Sequence, residues 1–257
     1  MNNVLKGATI LVARPAHQAA YLCQLIEQQG GTPVRFPTLE IVGVDNENPA
    51  TFVHDNLSNP HWLIFTSANA VNFALKANGG KIVRLNGAQI AAIGKATAKE
   101  LEVAGLQVTM IPKDGYDSEA LLAMPEMQHV NGQDIWIVRG QGGREELANV
   151  LRNRGAKVEY WEVYQRVMPN FDNAYVLALL KENRLSGIVI TSCEALQNLM
   201  KMIGESYQGC LVAIPLVVIS ERISDFAAKM GFMRIAVTEN PSDPAILNTL
   251  IGLINEE

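Results

Sequence analysis

Leu63–Val71 reads LIFTSANAV and Ile188–Leu196 reads IVITSCEAL, so Ser67 and Ser192 stand 125 residues apart in the same setting. In each copy an apolar run meets a Thr-Ser pair and then an amphipathic stretch. Such a run is the right length for a buried strand, and a hydroxyl residue ahead of a periodic stretch is a helix N-cap, so each copy predicts a strand feeding a helix. Moving outward, ILVARP around Arg14 matches IWIVRG around Arg139 at the same offset of 125. AAIGKATAKELEVAG, ending at Gly105, matches LVVISERISDFAAKMG, ending at Gly231, at an offset of 126. DSEALLAM near Ser118 matches SDPAILNT near Asp243. Four matched blocks in one order identify an internal duplication.

The same alternation continues elsewhere. ATILVA ends at Ala13 and precedes a helical stretch from about His17 to Gln29; WLIF precedes a helix near Asn69, QIAAI one near Ala96, and IWIV one near Glu145. Strands that alternate with helices predict an α/β fold of open parallel sheets with helices on both faces. Two segments break the alternation. FPTLEIVGV (Phe36–Val44) and WEVYQRVMP (Trp161–Pro169) are extended and proline-bounded where another helix would follow. They are candidate interdomain crossovers, and their strands can pair as a two-stranded β ladder. Two sequential domains and a swapped pair, in which the first βαβ packs with the last third of the chain, both fit the duplication.

With 257 residues, 48% of them hydrophobic and 18% charged, the chain can bury cores for two modest domains. Lys and Arg total 21 against 26 Asp and Glu, a net charge of −5, and no basic run tracks a phosphate backbone, which argues against nucleic acid as a partner. Cys23, Cys193 and Cys210 are odd in number and far apart, and are expected to be reduced, buried thiols rather than a disulfide framework or a zinc site. His17, His54, His61 and His129 show no metal-ligand spacing and are expected in surface or capping roles. The N-terminus lacks the pattern of a secretory signal, and the longest apolar run, Leu211–Ile219, is too short to span a bilayer. A cytoplasmic protein with no membrane partner is the expectation.

In open α/β sheets ligands bind beyond the carboxyl ends of the strands, where helix N-termini present free N–H groups. Arg14, Ser67 with Ala68, Lys95 and Thr97, Arg139 with Gly140, and Ser192 fall at those places. They are small, hydroxylated or cationic, a set suited to several carboxylates or phosphates, although Ser and Thr there are also ordinary helix caps. The glycines of RGQGG do not form GxGxxG, and no GxxxxGK[ST] occurs, so neither a dinucleotide nor a nucleoside-triphosphate site is expected. No local signature of a Ser/His/Asp or Cys/His set or of an acidic metal cluster is present, so an enzyme built on this chain works mainly by holding its substrate. No metal and no cofactor are expected.

LVARP, GGTPVRFPTLEI, TSANAV, IGKATAKEL with GLQVTMIP, VRGQGGREEL, VEYWEVYQRV and TSCEAL, in this order along essentially the whole chain, resemble the uroporphyrinogen-III synthase family. The resemblance implies two α/β domains joined by a two-stranded ladder around a central cleft. One domain is then 1–36 plus 169–257 and the other 45–160, with 37–44 and 161–168 as the crossovers. It implies a lyase that needs no cofactor and closes hydroxymethylbilane, a linear tetrapyrrole with eight carboxylates, handed over by hydroxymethylbilane synthase; a monomer is expected because the fold needs no symmetric partner. Tyr164 in VYQR matches the family's candidate proton donor; as a bare strand residue it is equally a half-buried tyrosine at a hinge. Ser67, Thr97 and Ser192 match cleft-lining positions, and Arg14 and Arg139 are carboxylate partners or helix-terminus anchors. One departure stands out: VISERIS (Val218–Ser224) replaces the IGxxTA pattern that the family carries in its second half, and Arg222 is the candidate replacement ligand there. A bilobed binding or regulatory protein that closes on an acidic small molecule without chemistry is the alternative reading. A transferase acting on a nucleotide sugar is a weaker third, since it wants a nucleotide site.

Overall fold

The computed structural model describes residues 4–44, 60–82, 87–113, 115 and 117–255, which leaves the expectation for His54 outside the described residues. Along the first half run β1 (Thr9–Val12), α1 (Ala16–Gln28), β2 (Thr32–Arg35), β3 (Glu40–Gly43), β4 (Trp62–Phe65), α2 (Ala68–Ala77), β5 (Gln89–Ala92), α3 (Lys95–Val103), α4 (Ser118–Leu122) and α5 (Pro125–Gln128). The second half runs β6 (Asp134–Gly140), α6 (Glu146–Asn153), β7 (Lys157–Val167), α7 (Ala174–Lys181), β8 (Gly187–Ile190), α8 (Cys193–Ile203), α9 (Glu205–Val212), β9 (Leu216–Val218), α10 (Glu221–Lys229), β10 (Ile235–Val237) and α11 (Asp243–Asn255). Among the described residues no helix is long and apolar enough to cross a membrane.

The chain divides into two compact units, Met1–Glu40 with Val167–Glu257, and Ile41–Arg166. The first holds a sheet of order β10-β9-β8-β1-β2 and the second a sheet of order β3-β7-β6-β4-β5. The duplicated strands occupy equivalent places. Ile10 faces Gly187 across β1 and β8, and Ile135 faces Trp62 across β6 and β4, each partner moved by 125 residues. Thr9 faces Thr32 as Asp134 faces Lys157, and Val217 faces Ala236 as Ala91 bridges Met110. Each sheet therefore combines strands from both halves of the sequence. β3 and β7 are hydrogen-bonded neighbours inside the second sheet, with Val44 N–H donating to the Val163 carbonyl at 3.3 Å.

The strands form where the sequence is apolar on both faces, as buried parallel strands require. β4 (WLIF) and β8 (GIVI) are buried at every residue. Successive side chains leave opposite faces. In the first sheet Leu11, Ile188, Ile190, Leu216 and Val218 pack beneath α7 to α10, while Ile10, Val12, Val189 and Val217 pack beneath α1 and α11. In the second, Ile64, Ala91, Ile135 and Ile137 meet α4 to α6, while Leu63, Phe65, Ile90, Ala92 and Val138 meet α2 and α3. Helix α1 buries Ala19, Leu22, Cys23 and Ile26 at helical spacing and stops where Gly30 takes φ +77°. Leu22 and Ile26 each contribute about 1.5–3 kcal/mol through removal from water.

The expectation that all three cysteines are buried needs correction. Cys23 is buried, and that burial pushes its thiol above the ordinary value; Cys193 is half-buried and Cys210 is exposed. Helix α9 (ESYQGCLV) buries only Leu211, which leaves the adjacent Cys210 on its outer face.

Candidate active site

The carboxyl ends of β6, β4 and β5 lie side by side in the second unit; Gly140 ends β6, and Ser67 and Lys95 lie just beyond β4 and β5. Ser67 is the N-cap of α2: its Oγ accepts from the Ala70 N–H at 3.1 Å. Ser192 caps α8 in the same way in the first unit, accepting from the Ala195 N–H at 3.0 Å. The capping role is thus filled at both sites. Ser67 does more, because its Oγ also lies 3.3 Å from the Tyr164 hydroxyl.

An irregularity in β7 delivers that hydroxyl. The pairing of β6 with β7 shifts after Arg139, which faces Glu162, so that Gly140 faces Tyr164 and Val163 is the extra residue. Strict alternation would put Tyr164 on the face of Tyr160. The bulge instead lets Val163 and Tyr164 both pack with Phe65, Val71 and Trp161, and the Tyr164 ring lies 5.7 Å from that of Phe73. Gln141 N–H then donates to the Tyr164 carbonyl at 2.8 Å and closes the bulge.

A cavity of about 550 Å³ opens at these strand ends. Ser67, Arg139, Gly140 and Tyr164, all expected from the sequence, line it together with Thr66, Gly143, Arg144, Tyr160 and Arg166. Arg139 is 4% exposed, and the loop after β6 wraps it: Nε donates to the Gly140 carbonyl at 3.0 Å and Nη1 to the Arg144 carbonyl at 3.2 Å. Its guanidinium stands 4.5 Å over the Tyr160 ring. Nη2 is buried without a hydrogen-bond partner. Tyr160 donates to Glu145 Oε2 at 2.6 Å, and burial, then that hydrogen bond, raises its phenol above the ordinary value.

The other expected residues are placed differently. Thr97 is 5% exposed inside α3, and neither it nor Ala68 and Lys95 at the starts of their helices lines this cavity. In the first unit Arg14 is ion-paired with Asp243 at the start of α11, a structural tie between the end of β1 and that helix. Arg222 is exposed in the first turn of α10. Arg144, Tyr160 and Arg166 escaped the sequence reading. Their signal was present, since REE follows the glycines after a strand and VEYWEVYQR carries aromatic and cationic residues at its carboxyl end.

A duplicated pair of parallel α/β units, with a polar pocket of hydroxyls, guanidiniums and glycine backbone at the strand ends, defines the class. The family model described as uroporphyrinogen-III synthase HemD matches residues 21–248, and the chain belongs to that family of enzymes. Uroporphyrinogen-III synthase of Escherichia coli strain K12 is 32% identical over 246 residues, covering 94% of this chain and 99% of that protein. The protein of the same name from Salmonella typhimurium strain LT2 is 33% identical over 248 residues, with coverages of 94% and 99%. In fold, the chain is similar to crystal structures of uroporphyrinogen III synthase from Thermus thermophilus, in a mutant form (TM-score 0.62, 15% identity, 98% of this chain and 100% of that one), and of the synthetase from Helicobacter pylori 26695 (TM-score 0.61, 15% identity, 96% and 99%).

Proposed function

We propose that the protein is a cyclising hydro-lyase that converts hydroxymethylbilane to uroporphyrinogen III, with loss of water and inversion of the last pyrrole ring. Family membership supports the reaction. The observation that carries the site is the Tyr164 hydroxyl, set 3.3 Å from Ser67 Oγ in a cavity that also holds Arg139, Arg144 and Arg166.

The chemistry makes modest demands on the protein. An electron-rich pyrrole expels the terminal hydroxyl as water once that oxygen gains a proton, and no cofactor has to supply electrons. Tyr164 gives the proton, and Ser67 orients the phenol. The resulting cation is attacked by the substituted carbon of ring D, giving a spiro intermediate that reopens and recloses with the ring inverted; loss of the ring proton restores the pyrrole and returns the phenol to its starting state. A positioned proton donor is worth about 10²–10⁴ in rate. Holding the chain so that the substituted carbon attacks contributes several kcal/mol more, on the scale of about 7–11 kcal/mol for well-oriented intramolecular reactions. Gly140 and the arginines of this cavity, Arg139, Arg144 and Arg166, hold carboxylates. The enzyme acts as a cytoplasmic monomer on substrate released by hydroxymethylbilane synthase.

The test is to supply freshly made hydroxymethylbilane, oxidise the products and separate type I from type III uroporphyrin against a protein-free control. Dominant type III product is expected. Type I alone, at the uncatalysed rate and from folded protein, would leave a non-catalytic binding protein in its place.

A further inference from the structure

The two oxygens of Glu145 are unequally engaged. Oε2 accepts from the Tyr160 hydroxyl at 2.6 Å, a short, strong contact, while Oε1 stands 3.5 Å from Arg139 Nη1, at the outer limit for a hydrogen bond. The carboxylate's shorter contact is thus with the phenol and its longer one with a guanidinium that is itself buried. Arg139 keeps two carbonyl acceptors, but Nη2 has none, and a buried charged donor left unmatched is costly until an anionic acceptor reaches it. A glycine lies over that nitrogen: a β-carbon on Gly143 would stand 2.6 Å from Nη2. The neighbouring Gly142 sits at φ +69°, a backbone conformation that glycine adopts without strain.

We propose that Arg139 forms the floor of a carboxylate subsite and that Tyr160 and Glu145 are its positioning residues: Tyr160 holds the Glu145 carboxylate aside, and a carboxylate of the ligand takes its place on the guanidinium. This rests on the reading of the ligand as a polycarboxylate tetrapyrrole and names where one of its carboxylates binds. Glu145 is then an internal competitor. Arg144 and Arg166 at the same cavity draw the ligand's charge toward it.

The test uses uroporphyrin III, which carries the eight carboxylates and does not react, titrated by fluorescence, together with the KM for hydroxymethylbilane. Tyr160→Phe frees Glu145 to close on Arg139 and is expected to weaken binding roughly three- to ten-fold, the scale of part of one charge-assisted hydrogen bond. Glu145→Gln removes the competitor and is expected to tighten binding by a similar factor. Both substitutions remove the charged hydrogen bond between Tyr160 and Glu145, so a purely structural role shifts affinity in one direction for both. Shifts of the same sign, or Arg139→Gln binding porphyrin as well as the native protein, would overturn the subsite. Thermal midpoints confirm that each variant is folded. If uroporphyrin shows the opposed shifts while hydroxymethylbilane yields no type III product, the subsite stands and the catalytic reading falls.

Discussion

The ring of Tyr164 occupies the space in which residue 140 would carry a β-carbon. An ideal Cβ on Gly140 would lie 2.4 Å from Cε2, 2.5 Å from Cζ and 2.9 Å from Cδ2 of that ring. These contacts are with a rigid aromatic ring at 6% exposure, wedged against Phe73. Neither partner can yield by rotating a flexible chain end, so glycine at 140 and the position of the Tyr164 hydroxyl are one feature.

Gly140→Ala is accordingly expected to drive the ring out and break its contact with Ser67. Overpacking of this kind costs about 1–3 kcal/mol of stability, readable in urea denaturation. Turnover of hydroxymethylbilane should fall along with it. An alanine variant of native stability and native rate would show that the ring position is unimportant.

Tyr164→Phe keeps the packed ring and removes only the hydroxyl. If the phenol is the proton donor, the rate of substrate consumption drops by about 10²–10⁴ while stability changes little. Ser67→Ala should act on both properties, because it removes the α2 cap, worth about 0.5–2 kcal/mol, as well as the hydroxyl beside the phenol. A Tyr164→Phe enzyme of full rate would remove the acid role.

Much of this was legible in the sequence. WLIF, IWIV and GIVI are apolar on both faces, as a covered parallel strand requires, and the offset of 125 between Ser67 and Ser192 reappears as the register of Ile10 on Gly187 and Ile135 on Trp62. Duplication alone could not say which copies share a sheet, because like strands present like surfaces to either partner. The bulge at Val163 was hidden for a different reason: an extra residue in a ladder leaves no mark on a strand whose Trp161, Val163 and Tyr164 suit either face. The sequence marks Arg139 as facing ligand or anchoring a helix end. Its burial depends on the loop from Gly140 to Glu145 folding back over it, and that path is set by carbonyl acceptors which side-chain patterns do not reveal.

The segment ahead of β3 is held by a buried amide. Asn198, 9% exposed on α8, donates through Nδ2 to the Thr38 carbonyl at 2.8 Å, and Thr38 is fully buried with its hydroxyl near the Ala13 carbonyl. Asn198→Ala strands that carbonyl away from water and is expected to cost about 1–3 kcal/mol in urea denaturation. Loss well below that range would mean that water reaches Thr38.

Tyr160 supplies a pH signature of the Glu145 contact. Its phenol is raised above the ordinary value of about 10, first by burial and second by the hydrogen bond to Glu145. A group whose folded value is raised binds its proton more tightly in the native state, so its contribution to stability is complete below pH ~10 and is lost as pH rises through the folded value. The difference in ultraviolet titration between the native protein and Tyr160→Phe should therefore show a midpoint above 10. Glu145→Gln should move that midpoint downward without restoring the ordinary value, since burial persists. In parallel, the native protein should lose more stability than Tyr160→Phe between the unfolded and folded midpoints. A Tyr160 midpoint unchanged by Glu145→Gln would mean that the 2.6 Å contact does not hold in solution.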